Sequence, residues 1–369
     1  MPSRILLGQL SCNGDILYAT TIARQIKKDF PGCHLTWAVA SLYRRVLDGN
    51  PFVDEIWEIP ARSRAEIEPL WPSFAREAKA RKKRGEFDEV FLTQVNPDNY
   101  RNFDGTVRAS IFRGYPRPIT VPVTPVMRLF PDEVERVREL VTRTGFCSGE
   151  YRVLFEAAST SNQSFITPKF AHETATLVLQ RLPGARFILS SDIPVRSDDP
   201  RIIDGSVVRF RENAELTRYS SLLVGCSSGI TWLSTSDWAT PLPMIQLLRR
   251  ETSVFASVVH DAEHFGLPTE PILEMTECLP SRLAECIVLA LSEGLPSAKA
   301  KFHERIPVRL NLYFFTFIRA QLIAKRPLTI LSSLRHVYRR YGIRPFLRFA
   351  RDCVVDGIPA AIFSRRKAT

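Results

Sequence analysis

Short apolar segments alternate regularly with longer amphipathic ones, and this alternation constrains the fold more than any other feature of the sequence. In the first hundred residues the apolar segments have the length of buried strands, and they lie at residues 4–10, 34–39, 55–59 and 89–93. Segments with helical spacing separate them, at residues 16–30, 42–47 and 72–84. Since parallel strands are joined by crossovers that are usually helical, the pattern predicts a parallel sheet with helices on both faces.

The same alternation begins again after residue 150. Strand-like segments lie at residues 152–156, 186–189, 221–224 and 242–247, and helix-like segments at 168–181, 214–220 and 230–238. Between the halves, five prolines in residues 116–131 exclude a regular element, and an amphipathic helix at 132–144 ends before Gly145. We therefore expect an α/β protein with two Rossmann-like domains that face each other across a cleft, over residues 1–148 and 149–295.

Residues 296–369 are expected to form a helical, basic C-terminal extension. Helical spacing occurs at about 280–292, 310–324, 328–341 and 344–354. Residues 335–367 contain nine Lys/Arg against two Asp, a net charge of +7 in a chain whose formal net charge is +11. Because aromatic residues interleave with these basic ones, we expect the tail to attach to an anionic membrane surface. The alternative is a solvated helix that wraps back onto the first domain.

Composition excludes several classes of protein. With 369 residues, 45% of them hydrophobic and 24% charged, the chain matches an ordinary globular protein rather than a disordered or fibrous one. No apolar run approaches the ~18 to 20 residues that span a bilayer, and the N-terminus lacks the pattern of a signal peptide. Seven cysteines without a CxxC pair favour reduced thiols. These features predict a cytoplasmic protein.

The first candidate site is Ser-Cys-Asn-Gly-Asp at residues 11–15. It follows the first predicted strand and opens the first predicted helix, at the carboxyl edge of the sheet where such folds bind ligands. Gly14 permits close approach of another molecule. Asp15 lies where helix N-terminal amides stabilise a carboxylate, which can accept a proton from a hydroxyl nucleophile. The alternative is that Asn13 or Asp15 only caps the helix.

Motifs in this region resemble the opening of glycosyltransferase family 9, which contains the ADP-heptose lipopolysaccharide heptosyltransferases. Family members typically read G-D, then T-T-P, P-x-A, a strand and N-P-x-V-D. The matching motifs are Gly14-Asp15-Ile16-Leu17, Thr20-Thr21, Pro31-Gly32, His34-Leu35-Thr36-Trp37 and Gly49-Asn50-Pro51-Phe52-Val53-Asp54-Glu55. Ile22 replaces the proline of T-T-P. Weaker similarity continues to about residue 250.

The resemblance implies a GT-B fold and inverting, metal-independent transfer of a heptose-like sugar from a nucleotide diphosphate donor, with an ADP-sugar as the expected one. The acceptor would be a cell-envelope glycan or glycolipid such as lipopolysaccharide core. By position, Asp15 matches the family's catalytic base, and we assign Asn13 and Gly14 to the acceptor, which the first domain would bind. The nucleotide sugar is a co-substrate, and no other cofactor is implied. The protein would be peripheral to the inner membrane.

A second candidate site is the run from Val224 to Gly229, at the junction of a predicted strand and a predicted helix. Small residues there leave backbone amides free to hold a diphosphate at a helix N-terminus. The family's motif reads D-S/T-G, followed three residues later by His, and it contacts the donor. Ser228 and Gly229 match this motif, whereas Ser227 replaces the acid and Trp232 replaces the His. The alternative is a packing turn that binds no ligand.

Three further residues complete the predicted donor site. Ser159 and Thr160 follow a predicted strand in a segment that resembles the family's P-G-A-S phosphate loop. Glu215, on the helix before the second candidate site, is assigned to the donor ribose. A plain polar loop and a solvated Glu215 are the alternatives.

The sequence contains little that points to other chemistry. His260 and His264 are four residues apart but lack the paired carboxylate of a zinc site, so no metal is predicted. No nucleic-acid recognition module is present, and no nucleic-acid partner is expected. Two alternative functions stay open. One is a nucleotide-sugar epimerase on the same fold, and the other is a catalytically altered relative that acts as a membrane-associated binding protein.

Overall fold

The computed structural model describes residues 2–95, 99, 106–159, 163–250, 257–306 and 342–356, with isolated positions at 318, 321–322, 328, 330–331, 334–335 and 338–339. Within these residues the chain forms two parallel β-sheets, one in each half, with helices around them. The predicted α/β class is confirmed.

The first half is a four-stranded parallel sheet in the order β3-β2-β1-β4. Its elements are β1 (Arg4–Gly8), α1 (Asn13–Asp29), β2 (His34–Ala40), β3 (Glu55–Ile59), α2 (Arg64–Lys83) and β4 (Glu89–Leu92). In the central strand β1, Leu7 lies in register with Trp37 of β2 and Phe91 of β4. Because β1 is buried between its neighbours, the loop that leaves its carboxyl end begins α1 in the interior of the molecule.

Two helices, α3 (Val107–Phe112) and α4 (Pro131–Arg143), follow β4 in the chain, before the second sheet begins. As the prolines predicted, residues 113–130 form neither helix nor strand. Pro131 occupies the first turn of α4, and the Glu133 carboxylate accepts a hydrogen bond from the Phe130 amide at 2.8 Å. Gly145 follows the helix with φ of 65°, the left-handed conformation that ends helices, as predicted.

The second half is a six-stranded parallel sheet in the order β10-β9-β8-β5-β6-β7. Because β5 and β8 are neighbours in the middle of this sheet, the loops at their carboxyl ends lie together. The elements are β5 (Tyr151–Glu156), α5 (Pro168–Arg181), β6 (Ala185–Ser190), β7 (Ile202–Asp204), α6 (Asn213–Leu216), β8 (Leu222–Gly225), α7 (Gly229–Leu233), β9 (Met244–Leu248), α8 (Val258–His264), β10 (Ile272–Thr276) and α9 (Pro280–Ser292).

Two further helices, α10 (Leu295–Phe302) and α11 (Arg344–Asp356), follow α9. The helices predicted at 280–292 and 344–354 match α9 and α11. Those predicted at 310–324 and 328–341 lie outside the described residues, apart from isolated positions. In the described part of the chain, no helix is long and apolar enough to cross a membrane.

Several elements differ from the prediction. α2 begins at Arg64 rather than at residue 72 and holds Pro69 and Pro72 in its interior. Proline has no backbone N–H group to donate within a helix. The helix tolerates this loss because Trp71 and Phe74 are buried in one apolar cluster with residues of the sheet. The helix predicted at 42–47 is a 3-10 helix over residues 41–47, called the 41–47 turn below, rather than an α-helix. Five elements of eight residues or fewer were not predicted, namely α3, β7, α8, β10 and α10.

The two halves pack directly on each other through α1 and α7. The rings of Tyr18 in α1 and Trp232 in α7 meet edge to face, with centroids 4.7 Å apart. Both rings belong to one buried apolar cluster that includes residues of both halves. The interdomain space is therefore closed at this point, and the N-terminal ends of α1 and α7 come together there.

Candidate functional site

Asp15 lies in the first turn of α1, close to the contact between the two halves. No described residue donates a hydrogen bond to its half-buried carboxylate. Burial raises the pKa of Asp15 from 3.8 to about 7, and the Arg64 guanidinium opposes part of this rise. A carboxylate with a pKa near neutral pH is both sufficiently basic and sufficiently ionised to act as a general base.

The backbone before α1 does not provide an ordinary helix cap. Cys12 occupies the N-cap position with φ of 66°, a conformation that non-glycine residues rarely adopt, and no side chain caps the helix. The alternative in which Asn13 or Asp15 only caps α1 is therefore not realised. Ser227, just before α7, also has a positive φ, at 52°. Strained backbone of this kind clusters at functional sites, and here it precedes the two helices that meet.

The structure brings the first candidate site against the second. A Cβ added at Gly14 would lie 3.4 Å from Cδ1 of Trp232. A Cβ at Gly229 would lie 2.8 Å from Phe210 Cε2 and 3.3 Å from Asn13 Cβ. Glycine at position 229 is thus required by close packing against Phe210 of the same half, with Asn13 of the first half beside it.

The N-terminus of α7, where a diphosphate site is predicted at Ser227, Ser228 and Gly229, is contacted by a carboxylate of the chain itself. Glu156, at the carboxyl end of β5, is fully buried. It accepts hydrogen bonds from the amides of Cys226 (3.0 Å) and Ile230 (3.1 Å), and from the hydroxyls of Thr231 (2.9 Å) and Ser228.

The loop before α7 is also held by other internal partners. The Ser227 amide donates to Gln246 Oε1 at 2.8 Å, and the Ser227 carbonyl accepts from Gln163 Nε2. Phe210 and Asn13 pack beside Gly229. Internal groups thus take several of the polar atoms that a diphosphate would use, as in the packing-turn alternative, and contact of this loop with a donor stays a prediction.

The other predicted donor residues have different outcomes. Thr160 lies outside the described residues. The Ser159 hydroxyl is buried without a hydrogen-bond partner among the described residues, and its contact with a donor stays a prediction. Glu215 is buried, accepts a hydrogen bond from Trp238 Nε1 at 2.7 Å and pairs with Arg218 at 3.1 Å. This side chain is thus buried rather than solvated, and its contact with the donor ribose stays a prediction.

A buried ion pair between the halves was not predicted. Arg108 of α3 pairs with Asp261 of α8 at 2.8 Å, and its guanidinium also lies 4.9 Å from the ring centroid of Tyr18 and 5.0 Å from that of Trp232. Burial raises the pKa of Asp261 to about 6, and Arg108 opposes this rise. These contacts fix the two halves beside Asp15 in one arrangement.

A second unpredicted residue, Arg211, ties three segments together. Its buried guanidinium pairs with Glu133 of α4 at 2.8 Å and donates to the carbonyls of Arg45 (2.9 Å), Asp48 (2.5 Å) and Arg128. It therefore links the second sheet to the 41–47 turn of the first half. Sequence patterns do not reveal such long-range pairs, although a charged residue inside an apolar strand, such as Glu156, is a usable signal.

No cluster of three or more His, Cys, Asp or Glu side chains that could hold a metal ion occurs among the residues that the structure describes. His260 and His264 have other contacts. His260 Nε2 lies 2.7 Å from the Ile306 carbonyl, and the His264 ring packs against Phe265 with centroids 4.8 Å apart.

Comparison with known proteins shows the fold. No protein-family model matches the chain, and no curated protein does. A glycosyl transferase family 9 structure from Veillonella parvula superposes with a TM-score of 0.53 at 15% identity, over 81% of this chain and 96% of its own. An ADP-heptose lps heptosyltransferase II from E. coli gives 0.49 at 14% identity, over 79% and 99%. The first comparison shows that the chain has the GT-B fold.

Proposed function

We propose that this protein is a glycosyltransferase that moves a sugar from a nucleotide diphosphate donor to a hydroxyl of a cell-envelope glycan or glycolipid, with Asp15 as general base. One observation carries the proposal: Asp15, at the interface of two Rossmann-like halves, has a carboxylate without a hydrogen-bond partner among the described residues and a pKa of about 7. The family 9 motifs around Asp15 and the shared fold support it.

In the proposed reaction, the acceptor hydroxyl attacks the anomeric carbon of the donor from the face opposite the diphosphate. Its proton passes to the Asp15 carboxylate as the new carbon–oxygen bond forms. The bond from the anomeric carbon to the diphosphate breaks, and the nucleotide diphosphate leaves with the electron pair, so the configuration inverts. Positively charged groups of the protein would stabilise the departing charge, and we propose that no metal takes part.

A second candidate function, a binding protein without transferase activity, is favoured by one observation. Glu156 fills the helix terminus at which family members hold the donor. Such a protein would retain the fold but bind no nucleotide sugar.

Calorimetric titration with ADP-, UDP- and GDP-sugars tests the proposal. We expect at least one of them to bind, with an ADP-sugar the tightest, and the bound sugar to be transferred when envelope glycolipid is added. Conversion of the free sugar nucleotide to an epimer without acceptor would favour the epimerase. Binding of none of the three would favour the binding protein and contradict a transferase.

The proposed acceptor is membrane-bound, and α11 has the character of a helix that lies on a membrane. Leu347 and Val354, seven residues apart and thus on one face, are 62% and 85% exposed. Arg344 and Arg348 lie on a neighbouring face and are also exposed. Exposed apolar and basic side chains on one amphipathic helix favour binding to an anionic interface. We propose that α11 and the rest of residues 335–367 attach the enzyme peripherally.

Flotation with vesicles that contain phosphatidylglycerol is expected to recover the intact chain at low salt and to lose it at high salt. The salt effect follows because exposed charges are screened over about 8 Å at physiological ionic strength. A chain ending at Ser333 and an Arg344→Gln/Arg348→Gln double variant should both float less, since each basic residue near the surface contributes about 1 kcal/mol. Phosphatidylcholine vesicles are the control. Equal flotation of all three proteins would show that the tail is not the attachment site.

A further inference from the structure

A cavity of about 550 Å³ opens between the two halves, beside the N-terminus of α1. Its walls come from the 41–47 turn of the first half, the beginning of α4, and residues 209–211 of the second half. Asn13, two residues before Asp15, also lines it. Burial of the neighbouring Tyr43, another lining residue, raises its pKa, and the Asp15 charge adds to this rise. The cavity is therefore within electrostatic range of the proposed base.

Five arginines line this cavity, and they fall into two groups. Three of them, at positions 44, 136 and 211, are paired with carboxylates of the chain. The other two, Arg45 and Arg209, form no ion pair or side-chain hydrogen bond with any described residue. They come from opposite halves of the molecule, and both are exposed. Two guanidinium groups on one cavity, without carboxylate partners, are suited to an incoming anion.

Half of the uncharged residues in the lining are aromatic. Rings of Tyr43, Phe130 and Phe210 line the same cavity. Phe130 also lies against Arg211, whose guanidinium is 5.4 Å from the ring centroid, and this contact orients the ring. Aromatic faces beside arginines provide stacking surface for a base or a sugar ring and charge for its phosphates.

We propose that this cavity binds a phosphate-bearing group of a substrate through Arg45 and Arg209, in place of the α7 terminus that Glu156 occupies. The inference rests on the proposed function, because that function supplies phosphorylated substrates. The shared chemistry is a phosphate ester or anhydride attached to a ring. It belongs either to the nucleotide diphosphate of the donor or to a phosphorylated sugar of the acceptor. Because Arg45 and Arg209 come from different halves, the bound group also bridges the domains.

Calorimetric titration with inorganic pyrophosphate, ADP and glucose 6-phosphate tests the inference on the full-length protein. Arg45→Gln and Arg209→Gln are each expected to weaken binding by about tenfold or more, the effect of losing one charge-assisted hydrogen bond. Arg138→Gln is the matched control, because Arg138 lies exposed on α4 outside the cavity and pairs with Glu135. Its affinities should equal those of the wild type.

The three probes separate the sources of the phosphate. If the two variants lose affinity only for pyrophosphate and ADP, the cavity binds the donor. If they lose affinity only for glucose 6-phosphate, it binds the acceptor. Either outcome supports the inference. Unchanged affinities in both variants, or no binding of any probe by the wild type, would overturn it. If the wild type transfers sugar but Arg45→Gln and Arg209→Gln bind the probes as tightly as the wild type, the phosphate site in the cavity is refuted and the proposed function stands. Probe binding without any transfer would refute the proposed function instead.

Discussion

Replacing Asp15 by Asn is expected to lower the rate of sugar transfer by about 100-fold or more, the lower range for the loss of a general base. Asn has nearly the same shape but accepts no proton at neutral pH. Affinity for the nucleotide sugar should change little, because no described residue is bonded to the carboxylate and its removal breaks no contact. Turnover of purified protein with a fixed donor and acceptor measures the effect.

Asp198→Asn is the matched control for that substitution. Asp198 is exposed in the loop before β7, at the amino edge of the second sheet and thus away from the interdomain surface. Its variant should transfer sugar at the wild-type rate. Unchanged turnover in Asp15→Asn would reject the assignment of the base.

The same substitution has a second consequence, on stability. The Asp15 pKa is about 7 in the folded protein against 3.8 for an unperturbed Asp. Above pH 7 the carboxylate is ionised in both states, and the folded state bears the cost of its burial. Asn removes this cost, so the variant should be more stable at pH 8 by roughly 2 to 4 kcal/mol, at 1.36 kcal/mol per pKa unit. The gain should shrink as pH falls through 7 and vanish near 3.8. A loss of activity with a gain in stability separates a catalytic role from a structural one.

Glu156→Gln is expected to destabilise the second half of the protein by about 3 kcal/mol, because buried donors that lose their acceptor cost ~1–3 kcal/mol each. The carboxylate accepts four hydrogen bonds, two from amides and two from hydroxyls. A Gln amide offers one acceptor oxygen, and its NH₂ group must then face donors. The free energy of unfolding in urea measures the effect.

Glu173→Gln provides the comparison for Glu156. Glu173 lies on α5 with 48% of its side chain exposed, 3.8 Å from Lys169. A surface pair of this kind contributes little, so its loss should change stability by less than about 0.5 kcal/mol. If Glu156→Gln unfolds at the same urea concentration as Glu173→Gln, the carboxylate does not hold the α7 terminus.

The alternation of apolar and amphipathic segments was sufficient to predict both sheets, because strands such as β1 and β5 are long enough to show their character individually. It also predicted that residues 11–15 lie at a sheet edge facing the other half, and the structure places Asp15 there. β10 escaped prediction although it is as long as β1, because Glu274 interrupts its apolar run. The early start of α2 was missed because tertiary packing of Trp71 overrides its two prolines.

The internal partner of the predicted donor loop escaped prediction for a different reason. Small residues from Cys226 to Gly229 match a phosphate loop locally, but the group that fills this loop, Glu156, lies 70 residues earlier in the chain. The pairing of Arg108 with Asp261 and the many contacts of Arg211 are likewise set by the packing of distant elements. Local patterns report which residues form an element, whereas the partners of a buried charge depend on the assembled fold.

The dependence of kcat/KM on pH tests the central claim most directly. If Asp15 is the base, only its ionised form is active, so kcat/KM should rise between pH 5 and 8 with an apparent pKa near 7 and then level off. The residual activity of Asp15→Asn should lack this rise. A wild-type profile without a rise near pH 7, or an Asp15→Asn profile that keeps it, would contradict the account.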